Sequence, residues 1–131
     1  MGPLSLSLLG VRRLSETMIP TNSLLPHHRL IAFGVALEML DAVHAAGISD
    51  AKLRDEAHRA AKGMCLNLAE GAGRATRADK ARAYAIARGE MVEAIAAVEI
   101  AVMCRQAKKE ALPRVLQLGN RLNAMLTKLI R

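Results

Sequence analysis

Residues 67–74 read NLAEGAGR, two glycines bracketing an alanine directly after a helical pattern. A phosphate-cradling G-x-G-x-x-G turn needs a strand before it and a third glycine for close packing of the helix that follows. Here Gly71 and Gly73 come after helical periodicity, and the third position is Thr76. The spacing therefore predicts a glycine C-cap and a tight turn between two helices. A helical hairpin at the centre of the chain sets the fold class, and the flanking sequence extends it.

Upstream of the turn, Leu53, Ala57, Ala60, Met64 and Leu68 recur at steps of three and four, the signature of one core-facing helical stripe. Small residues in that stripe predict a close helix approach, and Asp55 and Arg59 are expected to pair on the outer face. Ser49 or Asp50 can cap this helix by accepting an orphan backbone N–H. Downstream, Thr76 and Asp79 form a capping-box pattern with Asp in place of Glu. The helix it opens is expected to run for about 30 residues, to Ala107, with core positions Tyr84, Ala87, Met91, Ile95, Val98 and Val102. Gly89 falls in the middle of this helix, where it costs about 1 kcal/mol relative to alanine. A close helix crossing at Gly89 is the expected compensation.

Two outer helices complete the pattern. From Pro26, Leu30, Phe33, Leu37, Leu40 and His44 predict a helix that ends near Gly47 at a C′ position. Pro113 suits a first helical turn, and Val115, Leu118, Leu122, Met125 and Leu129 carry the last stripe. The reading is all-α: an up-down-up-down antiparallel four-helix bundle over residues 26–131, preceded by a tail over residues 1–25.

Composition agrees with this. The chain has 131 residues, the length of one domain, with one Phe, one Tyr and no Trp. Ala-, Leu- and Met-rich sequence favours packed helices over sheets, which draw on aromatic and β-branched residues. Cys65 and Cys104 form no metal or redox spacing, and both read as small buried thiols of a reduced, cytoplasmic protein. The opening MGPLSLSLLGVRR places its basic residues after a short apolar run rather than before it, unlike a secretory leader. No segment reaches the roughly 20 apolar residues of a membrane span.

The formal charge is +7, unevenly placed. Residues 26–58 carry three basic and five acidic side chains, whereas residues 108–131 carry six basic and one acidic. Around the central turn Arg74, Arg77, Lys80 and Arg82 outnumber Asp79. With Arg114, Arg121 and Lys128 of the last helix they are the candidate nucleic-acid-binding residues. With so few aromatics for base stacking, contact would fall on backbone phosphates and depend strongly on salt. The alternative is a solvated basic face that keeps a protein-only assembly module soluble.

Other chemistry is sparse. DAVH (Asp41, His44) and DEAH (Asp55, His58) flank the first connection and are expected to meet at one end of the bundle. They supply Asp where a di-iron bundle uses Glu, and the set is incomplete, so a metal-binding bundle is a distant third reading. No Ser or Cys has a partner set for nucleophilic catalysis, and Asn67 with Glu70 is the one candidate buried polar cluster. We assign no catalytic residue, no metal, no cofactor and no small-molecule substrate. Arg74 is expected to pair with Glu70.

The stretch NLAEGAGRATRADKARAYAIARGEMVEA, residues 67–94, resembles a signature N-[IL]-A-E-G-x-G-R, a polar turn, then I-A-x-G-x-x-x-E. That signature is the mark of the four-helix-bundle proteins first met in intervening sequences of bacterial 23S rRNA genes. Asn67, Glu70, Gly71, Gly73, Arg74, Gly89 and Glu93 match motif positions, and LNAMLTKLIR is similar to the family's closing helix. The resemblance implies a cytoplasmic, non-enzymatic helical scaffold that assembles as a homopentamer. It also implies RNA or an RNA-handling protein as partner, because a related protein, the accessory variability protein of diversity-generating retroelements, works with a reverse transcriptase and binds nucleic acid through a basic surface. Tyr84 stands alone in KARAYAIA, where the family carries bulky aromatics.

Overall fold

A computed structural model describes residues 19–131; most of the expected tail lies outside the described residues. Four helices follow in order: α1 (Ile31–Ala45), α2 (Ala51–Gly73), α3 (Arg77–Met103) and α4 (Leu112–Ile130). Short 3-10 turns at Pro26–Arg29 and Lys109–Ala111 precede α1 and α4. The expected first helix from Pro26 thus begins as a 3-10 turn, and α1 proper starts five residues later.

Successive helices run antiparallel. His44 stacks on His58 while Ala36 lies beside Cys65, which fixes α1 against α2. Arg59 meets Glu93 and Gly71 meets Tyr84, fixing α2 against α3. Arg77 meets Arg131 and Gly119 meets Ile95, fixing α3 against α4. Asp41 and Arg114 then close α4 onto α1.

The ends follow local chemistry. Asp50 accepts the Leu53 N–H at 2.9 Å and caps α2; Thr76 accepts the Asp79 N–H at 3.1 Å and caps α3. Gly47 has φ +65°, the left-handed conformation expected of it after α1. The other expected glycine stop is corrected: α2 continues helically through Gly71 to Gly73, and Arg74 is its extended C-cap. No glycine in NLAEGAGR needs positive φ.

The end of α3 was also misplaced by the sequence pattern. It stops at Met103 rather than Ala107, in a Schellman motif: Gln106 N–H donates to Ala101 at 2.7 Å and Arg105 N–H to Val102 at 3.0 Å. Arg105 occupies the left-handed position at φ +60°, where glycine is usual, and so left no visible stop signal. The adjoining loops are tied together, Ser49 N–H donating to the Gln106 carbonyl at 2.8 Å.

Ala57, Ala60, Met64, Leu68, Tyr84, Ala87, Met91, Val98, Val115, Leu118 and Leu122 are buried as expected. In α1 the core face is instead Ala32, Val35, Ala36, Met39, Ala42 and Val43. The stripe expected there, Leu30, Phe33, Leu37 and Leu40, is only partly buried along its edge. Because α1 is apolar on most of its surface, the small side chains that permit close approach took the core, and the bulky ones fill the flanks.

Glycines mark the tight contacts. A Cβ on Gly71 would lie 2.6 Å from the Tyr84 ring, and one on Gly119 would lie 2.5 Å from the Ile95 tip. Gly63 leaves room for the Glu90 carboxylate to pass. Gly89 is the correction: nothing lies within 4 Å of a Cβ built there, so the expected crossing does not occur among the described residues.

Both cysteines are free; Cys65 is buried and donates to the Ala36 carbonyl at 3.5 Å. Burial pushes its thiol up to about 12. Cys104 is exposed at the end of α3, contrary to its expected burial, because the Schellman turn lifts it off the core.

Candidate nucleic-acid interface

The α2–α3 turn and the end of α4 gather the basic residues at one end of the bundle. Two depressions lie there. A polar cleft between α2 and α3 is lined by Asn67, Glu70, Arg74, Asp79, Arg82, Ala83 and Ile86. Beside it a groove is lined by Ala75, Arg77, Lys80, Tyr84, Lys128, Leu129 and Arg131.

In the cleft, Arg74 donates to Glu70 one helical turn earlier, the pairing expected from sequence. The Asn67 amide donates to the Gly63 carbonyl at 2.8 Å, within its own helix. Asn67 and Glu70 therefore share the cleft wall without bonding each other, and the half-exposed setting is a surface feature rather than a buried hub. Arg82 is exposed at the rim. With Glu70 and Asp79 also present, the cleft is mixed in charge.

The charged side chains of the groove are all basic. Lys80 donates to the Ala72 and Gly71 carbonyls at 2.8 and 3.3 Å, satisfying the orphan acceptors at the end of α2. Arg77 donates to the main-chain carbonyl of Arg131. Both side chains bond main-chain oxygens, so their positions are fixed without an Asp or Glu side chain. Lys128 and Arg131 complete the set from α4. Arg131 is absent from the residues the sequence reading groups here, and Tyr84, expected only as a core residue, also lines the groove.

The remaining candidates lie elsewhere. Arg114 donates to Asp41 at 3.2 Å, at the opposite end of α4 from Lys128 and roughly 20 Å away along the helix axis. Its charge is balanced there, and it does not belong with the basic end. Arg121 lies between them, exposed, on the same heptad-spaced row.

Glu93 bonds Arg59 at 2.6 Å, and Glu56 and Glu90 flank the same guanidinium at 3.8 and 4.0 Å. Arg59 thus reaches across to α3 instead of pairing with Asp55. Glu93 joins the two central helices, and Gly63 makes the space that lets Glu90 approach. Gly73 and Gly89 face open surface.

The two Asp-x-x-His pairs do converge. The rings of His44 and His58 stack at 3.8 Å with planes 12° apart. Asp41, however, is held by Arg114, and among the described residues no three His, Cys, Asp or Glu side chains are grouped to hold a metal. Burial, then the neighbouring His44, Lys62 and Arg54, holds the His58 imidazole below its usual value of 6.5, with Asp55 opposing them. Burial and His28 lower His27 as well. An imidazole depressed by folding takes up its proton more readily in the unfolded chain, so stability is full above pH 6.5 and declines as pH falls below it. The melting temperature should therefore drop between pH 7 and 5.5, and His58→Gln should flatten that slope. An unchanged slope in the variant would show that the stacked pair does not contribute.

An all-α bundle of four antiparallel helices, with a basic end built from its second turn and last helix, defines a helical-bundle protein. The chain belongs to the 23S rRNA-intervening sequence protein family, whose model matches residues 32–128. No curated protein matches the chain. Among the described residues, no helix is long and apolar enough to cross a membrane.

Proposed function

We propose that this protein is a non-enzymatic, homo-oligomeric scaffold of the cytoplasm that binds structured RNA through its basic end. The observation that carries the nucleic-acid reading is the groove at that end. Arg77, Lys80, Lys128 and Arg131 line it without an Asp or Glu among them. A cluster of basic side chains with no Asp or Glu side chain among them attracts phosphates and releases counterions when they bind. Membership of a family named for an rRNA intervening sequence supports RNA as the polyanion.

Assembly is supported by a different surface. Ile86, Gly89, Ile100 and Met103 follow one outer line of α3, with Val92 at its side; Ile86, Val92, Ile100 and Met103 are 47, 55, 51 and 83% exposed. A mid-helix glycine with open space above it costs stability within one chain, and a second copy of α3 laid over it would recover that cost through close approach. By family resemblance the ring is a homopentamer. A protein-only assembly module would use this face and leave the basic groove idle.

Fluorescence anisotropy of the full chain with rRNA fragments at 50 and 200 mM salt tests the first half. Binding that weakens by about three orders of magnitude over this range corresponds to several phosphate contacts. No binding at the lower salt would sink the RNA reading and leave the assembly module. Mass measurement in solution tests the second half, and a monomer at micromolar concentration would refute it.

A further inference from the structure

The basic groove holds a feature that general phosphate attraction does not require. Tyr84 lines it, yet is only 4% exposed, its ring wedged against Gly71. Its hydroxyl has no hydrogen-bond partner among the described residues and is not sealed from solvent. Its bond is left to water, which a ligand's oxygen can replace. Burial pushes its pKa up, so at neutral pH it is a donor.

The cations around this donor are also unusual in being unspent. None of Arg77, Lys80, Lys128 and Arg131 forms an ion pair with an Asp or Glu among the described residues. Two of them are already immobilised by main-chain oxygens, so little ordering remains to be done on binding. The groove has a volume of about 570 Å³, room for a phosphate with its sugar. It also adjoins the N-terminus of α3, whose dipole adds positive potential.

Resting on the RNA reading above, we infer that this groove is a binding site for the terminal phosphomonoester of a nucleic-acid strand, held by Arg77, Lys80, Lys128 and Arg131 with the Tyr84 hydroxyl as a fifth donor. An internal phosphodiester carries one charge and two free oxygens. A terminal monoester carries close to two charges and three strong acceptor oxygens at pH 7. Four basic side chains with no Asp or Glu side chain among them, and a neutral donor besides, match the monoester. The mixed-charge cleft alongside and Arg121 farther along α4 suit the single charges of the following backbone.

The test uses the full chain and single-stranded RNA 12-mers bearing a 5′-phosphate, a 3′-phosphate or hydroxyls at both ends, followed by anisotropy at fixed salt. One phosphorylated form should bind about tenfold more tightly than the hydroxyl-ended strand, the effect of one further charge-assisted hydrogen bond. Tyr84→Phe keeps the ring that packs on Gly71 and should cut that preference to about threefold or less, with the melting temperature retained. Lys128→Ala should reduce it as well. Equal affinity for phosphate- and hydroxyl-ended strands overturns the assignment while leaving RNA binding intact, and so does a preference that survives both substitutions. Binding of none of the strands overturns the RNA reading itself. A nucleoside monophosphate that binds as tightly as the phosphorylated strand makes the ligand a free nucleotide and removes the strand-end assignment.

Discussion

Replacing Gly71 by alanine is expected to destabilise the bundle by about 2 kcal/mol, although alanine is the better helix former. The new Cβ would lie 2.6 and 2.8 Å from two carbons of the Tyr84 ring and 3.1 Å from the Ala83 Cβ. The ring is 4% exposed and packed in the core, so relieving the overlap requires α2 and α3 to separate locally. The same substitution at Gly73 or Gly89 meets nothing within 4 Å and should instead stabilise the helix by up to about 1 kcal/mol. Gly63 and Gly119 fall between these cases. Their obstructing atoms are the end of Glu90 and the tip of Ile95, which can swing aside.

Urea and thermal melts of the Gly71, Gly73 and Gly89 variants give the comparison, with a loss of roughly 6–10 °C expected for Gly71→Ala. A second substitution checks the cause. Tyr84→Leu combined with Gly71→Ala should cost less than the two changes summed, because the smaller side chain leaves space for the Cβ. A neutral Gly71→Ala, or strict additivity, would show that the contact is looser than these distances indicate. Gly89→Ala offers a second reading in the same experiment. If copies of the chain join over Gly89, the variant melts higher as an isolated chain but assembles less readily.

How much of this was legible beforehand depends on what kind of signal each element carries. The stripes of α2 and α4 were readable because apolar residues alternate with polar ones at helical spacing, and Ala57, Met64 and Leu122 are buried where the period placed them; in α3 Met91 and Val98 are buried as expected, whereas Ile95 and Val102 are only partly so. The stripe of α1 was not, since a helix apolar on most sides has no unique period and the bulky residues drew attention from the alanines. Gly47 was read correctly because its role is local: a left-handed residue after a helix. Gly71 and Gly73 share the same local signature, yet they belong to the helix, and the need for Gly71 comes from Tyr84 thirteen residues later. Sequence shows that glycine is present; only the fold shows which neighbour requires it. The basic end was half legible for the same reason. Arg77, Lys80 and Lys128 could be grouped through the expected antiparallel packing, but Arg131 was not among them, and the same packing carries Arg114 away to Asp41.

Reversing the charge of Arg82, Arg121 and Lys128 together to Glu is expected to lower RNA affinity by about three orders of magnitude near 100 mM salt, with the fold intact. The choice of residues follows from what each side chain already does. Arg74 is engaged with Glu70, Arg77 with the Arg131 carbonyl, and Lys80 with the last carbonyls of α2. Reversing any of these would put a carboxylate against an acceptor or another carboxylate, so lost binding could not be separated from lost structure. Arg82, Arg121 and Lys128 are exposed and form no hydrogen bond or ion pair among the described residues. Their substitution leaves the intramolecular contacts in place, and surface changes of this kind usually alter stability by under about 0.5 kcal/mol. The salt dependence supplies the sharper readout. Each lost phosphate contact should reduce the slope of log affinity against log salt by about 0.7–0.9, so the triple variant should shed about two units or more. Arg114→Glu is the internal control. It lies at the other end of α4 against Asp41, and reversing it should lower the melting temperature while leaving the salt slope unchanged. An equal loss of RNA affinity in the triple variant and in Arg114→Glu would mean that net charge alone governs binding, and the basic end would lose its claim to be a site.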